Sequence, residues 1–591
     1  LQTIPGFDQT TLQLVKPFMT AGSAGLDDFQ ETLPKMMVRG SNEILLRTTR
    51  FFPLKKGFEE NEDGSIPYEG SPERIFARYK HSYYNRLSYG VTMEKDAGEA
   101  LFQKSNPEGF DFYSAHFFLK NYRKWLKSIA IGDFAASMGQ GLIMHSGFGG
   151  RKGAQVDRIA RSQNGLRPYR SVDENNFLRG AGFELNFNDQ LQIMAFGSHR
   201  TRDANLLVRD TLDPEVDQGV TSLQTSGLHR TAAEIADKGS VGQTSFGGRV
   251  GFSLSQLHLG ANFLREELSS SLNRAEDPYN IFFFRGTELT NMSLDYRWSK
   301  KNYVLFGELA RSDNGGVAFT TGYQISLARI ADLSLLYRSF DKDYHALNSN
   351  AFSESSQVNN EKGFYTGLFV RPSYNWQFAF YYDTYRFDWL QFGVGSPAVG
   401  RDFRGRITWR KKRKFETYLE YRSETKQQNL RIVGENEAYL SNARREQIRW
   451  NFKYNLSKAL VWRTRIDAGS FAIGPGEFEG FVLYQDFVYK PINFPLHFTS
   501  RLALFDTESY AIRFYSYENN LLNSFTIPPY YGKGLRYYLN LRYRGVRNFV
   551  FELRWAQTYR AGEDPYLGGN EGHPGNNRTE IGAQIKYSWG N

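Results

Sequence analysis

The chain has no cysteine among its 591 residues. That excludes a disulfide framework and thiolate metal sites, while leaving the compartment open. No stretch approaches the roughly 18–20 consecutive apolar residues that a membrane-crossing helix requires, so a helical membrane protein is excluded. A charged leader followed by a short apolar core is missing at the start, and Leu1 is expected to be a cut start rather than the native one. There is no dense basic tract of the kind a dedicated nucleic-acid binder carries along one face: 73 Lys and Arg stand against 63 Asp and Glu, a formal charge of +10. Nucleotide chemistry is also unsupported. The glycine-rich stretch MGQGLIMHSGFGGRKG (138–153) has Arg151 where a phosphate loop needs glycine before its lysine, and Gly153 where it needs a hydroxyl.

What the chain does have is aromatic residues, 16% of the total, with 48 Phe, 36 Tyr and 9 Trp, beside 55 Gly. Aromatics, glycine and polar residues under a negative mean hydropathy are the mixture expected of a transmembrane β-barrel, in which apolar outward residues alternate with polar inward ones. From about Glu43 onward, segments of some ten residues repeat that alternation. In Arg578–Trp589, Ile581, Ala583, Ile585, Tyr587 and Trp589 fall on one face; Glu580, Gly582, Gln584, Lys586 and Ser588 fall on the other. Leu535–Tyr543 divides the same way. Aromatics recur at expected strand ends, at Trp298, Trp409, Tyr421, Tyr454, Tyr543, Tyr559 and Trp589, as interfacial girdles would require.

Tight turns, such as Lys411–Lys414, alternate with longer polar connections at 139–176, 205–242, 343–362, 424–443 and 559–577. Short turns on one side and long loops on the other are the plan of an outer-membrane barrel. The fold class predicted is all-β, a large transmembrane antiparallel β-barrel of about 24–26 strands over residues 36–591, with a short N-terminal helical segment over 1–35. In that segment Leu12, Val15 and Phe18 keep helical spacing after a Pro-Gly turn. A barrel of that size encloses a hole some tens of Å across unless something fills it. The glycines of the 138–153 stretch suit a backbone folded close against a wall. Residues 139–176 are therefore expected to form an internal plug or constriction, with Gly139, Gly141, Gly147, Gly149 and Gly150 as its close-packing points and Arg151 and Lys152 as its charged tip.

Two motifs carry a family resemblance. LQTIPGFDQTTLQLVKPFMT (1–20) resembles the second half of a helix-hairpin-helix module. GQGLIMHSGFGGRKG with LRPYRSVDENNFLRGAGFEL (166–185) resembles a family of Bacteroidota outer-membrane proteins described as helix-hairpin-helix domain-containing. The resemblance implies a small periplasmic helical module in front of a large barrel in the bacterial outer membrane. It also implies a DNA-facing hairpin at Ile4–Phe7, with Gly6 aiming backbone N–H groups at phosphates and Lys16 as the nearby cation. The sequence keeps Gly6 but has Phe7 and Asp8 where a second glycine and a basic residue belong, which favours a packing or protein-docking role for the module.

The later strands place arginines on what parity makes the inward face, among them Arg404, Arg406, Arg422, Arg449, Arg463, Arg465, Arg536 and Arg542. Such a lining favours anions, unless it pairs with Glu416, Glu420, Glu446, Asp467, Glu552 and Glu580, assigned to the same face, in cross-strand ladders. No catalytic constellation is expected. His145 and Ser146 are adjacent on an extended chain and point apart, no G-x-S-x-G occurs, and the nine histidines show no metal-ligand spacing. No cofactor or metal is expected. The partners expected are outer-membrane lipid and lipopolysaccharide, further membrane or periplasmic proteins and, as an alternative, nucleic acid. The role expected is transport, translocation or assembly at the outer membrane within a larger complex; the alternatives are DNA uptake and a non-transporting scaffold for surface proteins.

Overall fold

Inside a bilayer no water satisfies a strand's N–H and C=O groups, so a sheet that spans it must leave no edge. The computed structural model, which describes residues 31–147, 152–163, 165–206, 219–431, 438–562 and 568–590, meets that demand by pairing its two ends. The first strand, Ser41–Phe52, pairs antiparallel with Arg74–Tyr83 on one side and with the last strand, Asn577–Gly590, on the other, in register from Ser41 opposite Gly590 to Phe52 opposite Thr579. Between them each wall strand pairs with its sequence neighbour, and the result is a closed antiparallel barrel of 24 strands. Before it the short helix Leu33–Val38 seats Met36 fully buried against Tyr83, Leu87 and Leu119. Gly6, Lys16 and the rest of the proposed hairpin module lie outside the described residues.

The alternation assigns the two faces as expected. Ile581 and Ile585 are 47% and 44% exposed on the outside, with Leu294, Ile448, Leu502 and Leu504 in the same belt. Glu308, Asp383 and Asp402 are fully buried on the inside. Near the tight turns the belt ends in stacked rings: Trp376 on Trp409 with centroids 5.9 Å apart, and Tyr587 on Trp589 at 5.1 Å. An apolar belt with an aromatic girdle on a closed, even-stranded barrel is the build of a bacterial outer-membrane protein, and that is where this protein resides.

Two sequence expectations need correction. Within the polar stretch 424–443, residues 424–431 and 438–443 are strand: Phe415–Arg431 and Ala438–Asn455 pair from Phe415 opposite Tyr454 to Arg431 opposite Ala438, which puts Tyr421 well inside its strand. Where a hairpin stands above the membrane, water reaches both faces and the apolar alternation that marks a strand is lost. Glu446, assigned to the lumen, faces outward, because the register sets Arg449 against Asp467 and Glu420, leaving its odd-numbered neighbours inside. Its carboxylate instead takes hydrogen bonds from Arg444, at 2.7 Å, and from Tyr421.

Because Leu294 sits near mid-height in strand Gly286–Lys300 and is 64% exposed, Leu294→Arg places a cation in hydrocarbon. A loss of about 2–4 kcal/mol is expected, read from denaturant unfolding of the barrel in lipid vesicles.

Candidate functional site

Segments of the chain leave the wall and pack against its inner side. Strand Leu126–Ser137 pairs with Phe112–Lys120 only through Gly132. Beyond that point it leaves this neighbour and pairs instead with the short strand Gly165–Pro168, from Phe134 opposite Pro168 to Ser137 opposite Gly165. Every residue from 133 to 146 is buried. Met138, Leu142, Ile143 and Met144 are fully buried and join Phe134, Phe196, Leu264, Ala310 and Phe340 in one apolar cluster. Each such side chain removed from water contributes about 1.5–3 kcal/mol.

The glycines of this stretch meet a carboxylate of the wall. The Gln140 and Leu142 N–H groups donate to one oxygen of Glu308 at 2.5 and 3.1 Å, while Ser293 donates to the other at 2.7 Å. A Cβ at Gly139, whose φ is +53°, would stand 2.4 Å from the Glu308 carboxyl carbon, so only glycine lets the backbone approach this closely. Gly141, with φ +83°, donates to the Met138 carbonyl at 3.1 Å, and its own carbonyl accepts from Asn350 at 2.9 Å. The Gly147 carbonyl accepts from the Asn350 amide at 3.2 Å. Gly149, Gly150 and Arg151 lie outside the described residues.

A second inserted segment meets the first. Met144 bridges Asn348, His145 donates to the Asn348 carbonyl at 3.0 Å, and Arg161 donates to the carbonyls of Asn350 and Ala351 at 2.9 and 2.7 Å. Lys152 ties both segments to the wall. Its ammonium lies 2.5 Å from Glu354 and 2.6 Å from Asp383, over the Tyr385 ring at 4.7 Å. Burial alone would lower the Lys152 pKa, but Asp383, Glu354 and Asp402 outweigh it and hold the group above its ordinary value. Burial would raise Glu354, yet Lys152 and Lys426 draw it down to about 2. Asp383 is held in turn by a forked pair from Arg338 at 2.8 and 3.0 Å.

A third insertion, within 508–532, had no counterpart in the sequence expectations, although 25 residues without alternation were its signal. It carries Glu518, fully buried, into the lumen, where Arg536 and Arg554 pair with it at 2.7 and 2.9 Å and Tyr530 donates to it at 2.8 Å. The expected arginines do face inward, and most are neutralised. Arg404, Arg406 and Arg449 converge on Glu420; Arg449 and Arg465 share Asp467; Arg422 pairs with Asp402 at 2.9 Å; Arg542 pairs with Glu552 at 2.6 Å. Arg463 faces the same lumen with no ion pair among the described residues. Asp383, Asp402 and Glu518 supply carboxylates missing from the sequence tally, so the Arg excess it implied shrinks.

Above the wall, the loops converge on His229. Its Nδ1 lies 2.6 Å from Asp111 and its Nε2 3.0 Å from Asp203, while its backbone N–H donates to Glu99 at 3.1 Å. Glu99, Asp111 and His229 are close enough to hold a metal ion, as are Glu174, Asp203 and His229. No sequence spacing reveals this grouping, because its members come from three separate loops of the barrel. Burial would lower the imidazole pKa, but the hydrogen bonds it donates to Asp111 and Asp203 outweigh it and push it to about 10. At neutral pH the ring is therefore an imidazolium that ties two loops together, and a metal would have to displace its proton.

No family model matches the chain, and no curated protein matches it. Among solved structures it is similar to the siderophore receptor PirA from Acinetobacter baumannii, at 8% identity over 93% of this chain and 81% of that one, with a TM-score of 0.43. It is also similar to a mutant of the ferric enterobactin receptor PfeA from Pseudomonas aeruginosa, at 10% identity over the same shares, with a TM-score of 0.43. An anion-selective porin from Comamonas acidovorans aligns at 12% identity with 59% of this chain and all of its own, with a TM-score of 0.28.

Two outcomes follow from this geometry. Gly139→Val drives a side chain into the Glu308 carboxyl and should release the first insertion, read as new protease cleavage within 138–163 while the barrel itself stays folded. The His229 tie has a folded pKa above its unfolded value near 6.5, so its contribution is complete below pH 6.5 and lost as pH rises through about 10. Amide exchange in 219–240, corrected for intrinsic rate, should quicken across that window in the native chain and stay flat in His229→Gln.

Proposed function

We propose that this protein is a gated outer-membrane transport barrel whose own inserted segments, within 138–163 and 341–360, are the gate. One observation carries the reading: beyond their apolar packing, the insertions are fixed to the wall by a few buried charged contacts centred on Lys152, rather than by a continuous sheet. A 24-strand wall is far wider than its side chains can fill, and a structural filler needs no buried ion pairs. Charged contacts between insertion and wall serve as a latch, since withdrawing Lys152 leaves the buried Glu354 and Asp383 with one cation fewer. The Arg-lined sector between Arg404 and Arg554, mostly paired at rest, faces the lumen that a released insertion opens, which gives the open path a bias toward anionic solutes.

In Lys152→Gln the Glu354 and Asp383 carboxylates lose the cation that joins them, keeping only Lys426 and Arg338 respectively, and the latch weakens. Planar-bilayer recording should then show frequent openings where the native barrel is mostly closed, with a larger steady conductance when 139–163 is replaced by a short glycine-serine linker. A barrel that conducts no better after that replacement is a scaffold, and the transport reading fails.

A further inference from the structure

The eleven tight connections of the barrel, from 84–86 around to 544–548, close its periplasmic end. Together they contain thirteen Lys and Arg and a single acidic residue, Asp189. This surplus of twelve exceeds the chain's whole net charge of +10, so the rest of the molecule is close to neutral and the cationic excess is concentrated on one rim. It is not a patch on one side: nine of the eleven turns carry a cation, and the two that do not, 187–190 and 255–256, are neighbouring turns. The densest point is Arg410–Lys414, five cations in succession at the turn after Ala398–Lys411.

The same turns expose apolar side chains beside the cations. Trp125 follows Lys124 and is 58% exposed, Ile330 follows Arg329 at 52%, and Val546 precedes Arg547 at 46%. Ile492, two residues beyond Lys490, is 74% exposed. In water such a rim would be doubly unfavourable, since like charges crowd together and apolar groups are wetted. At the level of lipid headgroups both terms reverse: the apolar groups enter the acyl boundary and the cations reach the phosphates by extending along it.

We propose that this rim is a collar that binds the anionic headgroups of phospholipids in the periplasmic leaflet. A protein partner would use a one-sided patch, whereas a collar that follows the circumference matches the annulus of lipid around a barrel. Each Lys or Arg at an anionic surface contributes about 1 kcal/mol, so the ring gathers acidic lipid even where such lipid is a minority. The collar also fixes the barrel's depth and leaves the cation-free turns as its one gap.

The test uses the full barrel reconstituted in phosphatidylethanolamine membranes containing trace spin-labelled phosphatidylglycerol or phosphatidylcholine. Electron paramagnetic resonance should show the motionally restricted population favouring phosphatidylglycerol about threefold or more, with the preference falling toward one in 0.5 M NaCl. A sixfold variant, Lys411→Gln, Lys412→Gln, Arg413→Gln, Lys414→Gln, Arg544→Gln and Arg547→Gln, should lose much of that preference. These side chains are exposed, so its melting profile should match the native barrel's, which separates lipid selectivity from folding. Equal association of the two lipids with the native barrel overturns the proposal, as does a preference that survives in the variant. Binding of polyglutamate by a native barrel that shows no lipid preference reassigns the rim to an acidic protein.

Discussion

Closure of the first strand on the last is the constraint from which the rest of this structure follows. Ser41–Phe52 and Asn577–Gly590 pair along twelve residues although they stand at opposite ends of the chain. That pairing removes the two edges an open sheet would present to lipid. Once 24 strands are closed in this way, the circumference is set, and with it a lumen too wide for wall side chains to span. The buried charges around the lumen then have a clear role: Glu308 and Asp383 offer the wall's half of a contact whose other half arrives on an inserted segment, and at Glu518 the roles reverse, the insertion bringing the carboxylate to Arg536 and Arg554 of the wall.

The insertions and the lumen ladders use the same chemistry for different ends. In the sector around Glu420 and Asp467 both partners belong to the wall, and each arginine is held by carboxylates of its own or adjacent strands, so the ladder stiffens the sheet. At Lys152 one partner belongs to an insertion, and the contact can open without disturbing a single inter-strand hydrogen bond. Buried ion pairs contribute little net stability compared with apolar packing, but they penalise half-formed states heavily. That property suits a latch, which must be either seated or released.

Much of the wall was legible in the sequence, because a strand with lipid on one side and water on the other records its position in a period of two. Ile581 through Trp589 declare their face without help from any other part of the chain. The lumen was less legible. The contact between Gln140 and Glu308 joins residues 168 positions apart, and no spacing rule spans that interval. The glycines at 139 and 141 were visible as a demand for close approach, but not the carboxylate they approach. Glu446 and Arg449 stand three apart on one regular strand and cannot share a face, so the period of two admits only one of them to the lumen, and the ion pairs with Glu420 and Asp467 select Arg449. In the stretch 424–443 the two-faced environment itself disappears, and so does its record.

The absence of cysteine makes the central claim directly testable. Val156, in the first insertion, is buried in one apolar cluster with Leu336 of the wall. Cysteines at these two positions, bridged by a short reducible bis-thiol cross-linker, give a lock that opens only by reduction. Single-channel conductance of one preparation, oxidised and then reduced, isolates movement of the insertion from every other change. The account predicts a silent oxidised barrel and openings that appear on reduction; equal conductance in the two states would contradict it.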